Sequence, residues 1–301
     1  MLGYVDAVVA AFRGLVDYAG LYPPASLTLE RVIANYAAYR ASPAAWMLGR
    51  LVLPFDRLYE AEALARAAGA TAADPWPVSV LVGDALGAST NSGALTHFRA
   101  ETGRLLCIES IETAAGTVEE IQFLSRSHPL YLERFIEIPL DPDPAPLLAA
   151  LAATACWAKM RTGGVTPAKV PSTALVARFL ARAKHAGAAL KATAGLHHAI
   201  RAERRLTYAT DSPTGIMHGF VNVTFAATLL AAGKIDETLA DAVLDDDRPE
   251  VFKFGGRAGS WLNAVLTYGE FAHGRDHLLR SVGSCSFEEP VDELRQLGWI
   301  D

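Results

Sequence analysis

Residues 156–196 read Cys156-Trp-Ala-Lys-Met-Arg-Thr-Gly163, then a stretch over 172–186 with helical spacing, then Ala188-Ala-Leu-Lys-Ala-Thr-Ala-Gly-Leu196. The first run is apolar up to Lys159 and the second up to Lys191. A short run that is apolar throughout, rather than alternating, marks a strand buried on both faces. A helix between two such runs makes a strand–helix–strand crossover, which joins parallel strands of one sheet.

The same unit recurs on either side. Toward the N-terminus, Leu15-Val16 ends at Asp17 and precedes a helix candidate at 27–41, with Ser26 or Thr28 as its cap. Arg50-Leu-Val-Leu-Pro54 is followed by helix 57–68, and Val78 to Val82 runs to Asp84. Leu105-Leu-Cys-Ile108 ends at Glu109 before helix 117–126, and Arg134 to Ile138 precedes helix 145–153. Toward the C-terminus, Arg280 to Cys285 leads into a helix candidate at 289–297. Eight such runs in 301 residues predict an α/β fold, a closed (β/α)8 barrel rather than an open sheet. No G-x-G-x-x-G follows the first run, which weakens a dinucleotide-binding reading. The spacing breaks once. Residues 196–280, with a helix candidate at 218–232, Asp245 to Asp247 and Gly255-Gly256, read as an insertion between strands 7 and 8 of one barrel domain spanning 1–301.

Composition narrows the class of protein. With 51% hydrophobic and 20% charged residues the chain can bury a large core without a disulfide or metal staple. Cys107, Cys156 and Cys285 lack C-x-x-C spacing, which fits a reducing compartment and argues against a zinc knuckle. No apolar run reaches the roughly 18 residues of a membrane span. Asp6 and the absence of a basic leader predict no signal peptide. A net charge of −6 gives no footprint for nucleic acid. The expectation is a cytoplasmic protein whose partner is a small molecule, with neither nucleic-acid nor membrane partners. The apolar helix 218–232 adds a homo-oligomer to that expectation.

Barrel active sites are built at the C-terminal ends of the strands. Here those ends read Asp17, Arg50, Asp84, Glu109, Glu137, Lys159 with Arg161, Lys191, and Ser284 to Ser286. The chain has six lysines, and two of them stand at adjacent strand ends. Each could simply snorkel out of the barrel mouth or pair with a carboxylate. The alternative is chemical. A lysine beside a second cation in a partly desolvated pocket has its pKa lowered, and the neutral amine can form a Schiff base with a carbonyl. A carboxylate must then move the proton. Lys159 is the nucleophile of this reading, Lys191 its cationic neighbour, and Asp17 or Glu109 the acid. Arg161 lies on the same strand face as Lys159 and either holds a substrate oxyanion or salt-bridges Glu137.

A second cluster is His197-His198 with His218 and Asn222. Adjacent histidines in an extended segment point to opposite sides. With Glu137 and Asp84 one of them could complete a nitrogen–oxygen metal site, although no H-x-x-x-H pair supports it, and a structural or substrate-binding role is the other reading. Cys285 stands at a possible helix start, where a thiol is activated, or is a small buried hydrophobe. Asp245 to Asp247 reads as a solvated loop.

Four segments carry a family resemblance. Leu15-Val-Asp-Tyr-Ala-Gly-Leu-Tyr-Pro-Pro-Ala-Ser26 resembles the L-I-D-H-T-L-L-K-P-x-A-T opening of deoxyribose-phosphate aldolases. Lys159-Met-Arg-Thr-Gly163 is similar to their K-T-S-T-G strand, Lys191-Ala-Thr-Ala-Gly-Leu196 to K-A-S-G-G-I, and Gly283-Ser-Cys-Ser286 to G-T-S-S. The order places them on strands 1, 6, 7 and 8, and about half the chain is covered. The resemblance implies a divergent class I aldolase of carbohydrate metabolism, free of metal and cofactor. It makes Lys159 the Schiff-base lysine, Lys191 the second lysine and Asp17 part of the polar network, with Glu109 an approximate counterpart of the fourth-strand aspartate. Arg161, Thr162, Gly163, Glu137, Thr193, Gly195 and His197 would then line the substrate. Ser284 and Ser286 would take a phosphate, since turns at helix starts suit anions. Tyr22 stands where the first motif has lysine, and Ala194 replaces a glycine. The leading expectation is therefore a carbon–carbon lyase. A metal-dependent isomerase or hydrolase using His197 or His198, and a non-catalytic binding barrel, are the alternatives.

Overall fold

A computed structural model describes residues 6–83, 93–99, 104–127 and 131–301. Asp84 lies outside them. Eight parallel strands close into a barrel: β1 (Val16–Tyr18), β2 (Leu48–Pro54), β3 (Trp76–Leu81), β4 (Leu106–Ala114), β5 (Glu133–Glu137), β6 (Trp157–Arg161), β7 (Leu190–Thr193) and β13 (Leu279–Ser284). Each strand pairs with the next, and β13 returns between β7 and β1 to close the ring. The expected (β/α)8 barrel is the fold.

Helices α1 (Asp6–Phe12), α2 (Leu29–Arg40), α3 (Leu58–Ala67), α4 (93–99), α5 (Val118–Ser127), α6 (Ala145–Ala153), α7 (Thr173–Ala186) and α11 (Glu288–Gln296) account for the helical stretches outside the long insertion. Their ends are set locally. Thr28 accepts from the Arg31 N–H at the start of α2, and Ser172 from the Leu175 N–H at the start of α7. Gly187, at φ +70°, ends α7 in the left-handed conformation.

Between β7 and β13 the chain forms a hairpin of β8 (Ala202–Arg205) and β9 (Thr214–Met217), then α8 (Phe220–Ala231) and α9 (Glu237–Asp245). An antiparallel sheet of β10 (Phe252–Gly255), β11 (Ala258–Trp261) and β12 (Ala264–Thr267) and helix α10 (Tyr268–His277) complete the segment. Phe220 to Leu230 of α8 are all buried, under α7, α9, α10 and β13. Its threonines are satisfied within the helix: Thr224 donates to the Phe220 carbonyl and Thr228 to that of Thr224. The apolarity of this helix is thus used inside the chain and carries no argument for self-association. Asp246 also departs from the solvated-loop reading, because it is buried and accepts from Arg248 and the Trp261 indole N–H.

Candidate active site

The barrel interior is crossed by a chain of polar side chains. Ser110 on β4 donates to the Ser79 hydroxyl on β3, and Ser79 donates to Glu112 Oε1 at 2.7 Å. The same oxygen accepts from Lys191 Nζ at 2.6 Å, and Lys191 also donates to Asp17 Oδ2 at 2.6 Å. Ser281 on β13 and the Arg50 backbone N–H complete the partners of Asp17. Lys159 Nζ lies 3.0 Å from Glu112 Oε2 and 3.2 Å from Glu137 Oε2. One carboxylate, Glu112, therefore bridges both lysines, which are register partners on β6 and β7.

Burial sharpens these pairs. Lys191 is 1% and Glu112 2% exposed. Burial by itself would raise the Glu112 carboxyl, but Lys191 and Lys159 outweigh it and hold it well below the usual carboxylate range. Burial likewise works against the Lys191 ammonium, and Asp17 and Glu112 outweigh it, so its pKa is raised. Glu137 is lowered in the same way by Lys159 and Arg161, against its own burial.

The two lysines reach a cavity of about 260 Å³ at the C-terminal mouth, which Glu112, Arg161, Thr193, Ala194, Gly195 and Lys169 also line. A second lobe lies over Asp56, Thr113 and Glu137, and a third over Arg161, Lys169 and Leu175. Tyr22 borders the first two lobes, and its buried hydroxyl has no hydrogen-bond partner among the described residues. Burial, reinforced by the Glu112 charge, raises its pKa.

The structure brings Lys159, Lys191, Asp17, Glu137, Arg161, Thr193 and Gly195 to this network or its cavity, and leaves other expected residues elsewhere. Glu109 is the clearest correction. β4 runs on to Ala114, so Glu109 faces the opposite end of the barrel and pairs with Arg50 at 2.9 Å. Arg50 lies near the start of β2, not at its end, and both border a cavity of about 430 Å³ at the N-terminal face. Glu112, three residues further along and past a register shift between β3 and β4, occupies the position expected of Glu109. Its sequence signal is weak, because three residues put Glu112 out of phase with Glu109 and only Ile111, between two polar pairs, shows that the strand runs on.

Thr162 and Gly163 shape the mouth rather than line it. The Thr162 hydroxyl donates to the Ala194 carbonyl, tying the end of β6 to β7, and a Cβ on Gly163 would lie 2.9 Å from that same carbonyl oxygen. Ala194 sits at φ +68°, where its motif position favours glycine. Ser284 donates to the Ser286 carbonyl, and the Ser286 hydroxyl accepts from the Glu289 N–H, so both hydroxyls are engaged within the turn into α11.

His197 and His198 do not diverge. Their segment is bent rather than extended, and the rings lie 4.6 Å apart. His198 pairs with Glu293, while buried His197 faces the Cys285 sulfur at 3.8 Å. Burial, with the neighbouring His198, pushes the His197 pKa down to about 4, so it is neutral near pH 7. His218 contacts the Pro171 carbonyl, and Asn222 serves the Arg201 N–H and two carbonyls, so the pair shares no ligand. Burial raises the Cys285 thiol to about 11, the opposite of activation. Among the described residues no three His, Cys, Asp or Glu side chains converge as a metal site.

No family model and no curated protein matches the chain. A solved structure of a nitroalkane oxidase from Streptomyces ansochromogenes is similar at 14% identity and a TM-score of 0.34, over 64% of this chain and 61% of that one. The chain therefore matches about three fifths of that protein's length.

Proposed function

We propose that the protein is a Schiff-base carbon–carbon lyase of the class I aldolase type, acting on a small carbonyl compound through Lys159. The observation that supports this most is the single buried carboxylate, Glu112, shared by lysines on adjacent strands beneath an open cavity. In this reading a proton passes from the Lys159 ammonium to a carboxylate, and the neutral amine adds to the carbonyl carbon. Loss of water leaves an iminium. The bond between the α and β carbons then breaks, its electron pair moving toward the iminium nitrogen to give an enamine, while the β-hydroxyl proton of the departing fragment goes to a carboxylate. Protonation of the enamine at its α carbon and hydrolysis of the resulting iminium release the second product and Lys159. Glu137, at the edge of the cavity, lies within reach of Lys159 for these transfers, while Glu112, held ionised by both lysines, fixes the amine in place. Lys191, held as an ammonium by Asp17 and Glu112, keeps Glu112 ionised beside Lys159.

Borohydride reduction in the presence of small aldehydes and ketones, read by intact mass, tests the reading. The expected result is a stoichiometric adduct on the wild type that peptide mapping assigns to Lys159 and that is absent from Lys159→Ala. An adduct formed equally by Lys159→Ala sinks it, as does none at all with any probe.

A further inference from the structure

We infer that the carbonyl substrate carries a terminal oxyanion, and that this group is received by Lys169 and Arg161 on the β6–α7 side of the mouth, which rests on the reading above. The charges on the network cancel one for one: Asp17, Glu112 and Glu137 against Lys159, Lys191 and Arg161. Lys169 stands outside that balance. Among the described residues it forms no ion pair, yet it borders both the central cavity and the outer lobe. Its stem runs across Gly164, where a Cβ would lie 2.7 Å from the Lys169 Cβ and 3.0 Å from its Cδ. Glycine at that position lets the lysine lie along the rim. Leu175, in the first turn of α7, borders the same lobe, so the positive end of that helix adds to the field.

The rest of the mouth does not offer this. The lobe beside β2 sets three carboxylates, Asp56, Glu112 and Glu137, against Lys159 and Arg161, so acid outweighs base there. At the β7–β13 end the serine hydroxyls are engaged in their own turn, and Tyr208 from the β8–β9 hairpin donates to Glu289 beside Cys285. Arg161 follows Lys159 by two strand residues, about 7 Å. That spacing fits a chain of a few carbons between the reacting carbonyl and the oxyanion.

The test compares matched probes in borohydride trapping: 4-oxobutanoate against butanal for a carboxylate, and glycolaldehyde phosphate against glycolaldehyde for a phosphate. The wild type should reach half-trapping at a concentration at least about 10-fold lower for one anionic member of a pair. Which pair shows the preference identifies the oxyanion. Lys169→Ala and Gly164→Ala should collapse that ratio toward one, and Lys169→Arg should retain most of it. Equal trapping of both members by the wild type, or a preference unchanged in Lys169→Ala, overturns the inference while leaving the Schiff base standing. Titration calorimetry with succinate and inorganic phosphate separates the two ideas if no probe forms an adduct. Binding that is lost in Lys169→Ala supports the oxyanion site without the lyase, and no binding, or binding unaffected by the substitution, removes the site as well.

Discussion

Lys191 meets water only through the cavity it borders, and its two carboxylate partners are as deeply buried as it is. Such a triad is a poor source of net stability, because desolvation offsets most of the Coulombic gain, but removing one member leaves charges uncompensated. Lys191→Met is therefore expected to destabilise the protein by about 3–5 kcal/mol at neutral pH. The pH dependence follows from the two shifts. Glu112 is lowered on folding, so its contribution is full above the ordinary glutamate pKa of about 4.3 and fades as pH falls below it. Lys191 is raised, so its contribution is full below the ordinary lysine value of about 10.4 and fades as pH rises through the folded one. Denaturant unfolding of both proteins at a series of pH values should show a stability gap that is widest between these limits and narrows on either side. A gap that does not change with pH would mean that lost packing, not charge, is responsible.

At the scale of elements, α10 offers one substitution at two positions with opposite expected outcomes. Gly274 faces α8, and a Cβ there would lie 2.7 Å from Thr228 Cγ2 and 2.9 Å from Thr228 Cα. The two helices must separate to admit it, so Gly274→Ala should cost about 1–3 kcal/mol. Gly269 has nothing within 4 Å of its Cβ position, and Gly269→Ala should stabilise by up to about 1 kcal/mol through helix propensity. Thermal melts of both variants check the sign of each. The elements also show where sequence reading succeeds and fails. Strands β2, β3 and β5 to β7 were legible because each is a short apolar run bounded by turn residues. At face value the sequence ends β4 at Glu109, because the apolar run stops at Glu109-Ser110 and the buried Glu112 beyond it looks like part of a loop until its partners are known. Ser79, Ser110 and Glu112 make the barrel interior polar, and their partners come from strands far away in sequence. The hairpin and the three-stranded sheet of the insertion were illegible for another reason. Segments such as Ala202–Arg205 and Ala258–Trp261 are as short as β7 but lack the apolar run that marks it, so neither period nor composition gives them away.

For the molecule as a whole, the ring is closed by a strand that returns only after the long insertion, so the β13–β1 seam joins residues more than 260 positions apart. Arg275 sits beneath that seam. Its guanidinium donates to the carbonyls of Ala11, Arg13, Leu279 and Arg280, tying the N-terminal segment to the start of β13. Among the described residues it has no carboxylate within ion-pair distance, and burial, together with the nearby Arg280 charge, lowers its pKa to about 10. Arg275→Ala leaves those carbonyls without donors. Each unpaired buried acceptor costs about 1–3 kcal/mol, but the N-terminal cavity that Arg275 borders is open enough to give some of them water. A total loss of about 3 kcal/mol is expected, toward the low end of the sum. If the seam holds the whole barrel together, tryptophan fluorescence and far-ultraviolet circular dichroism should shift to a lower denaturant midpoint in step. Trp76 reports on β3, Trp157 on β6 and on Arg280 of β13, which stacks over its ring, and Trp299 packs against Phe254 of the insertion. Two separated transitions would show instead that the insertion and the barrel unfold independently, and that Arg275 secures only the junction between them.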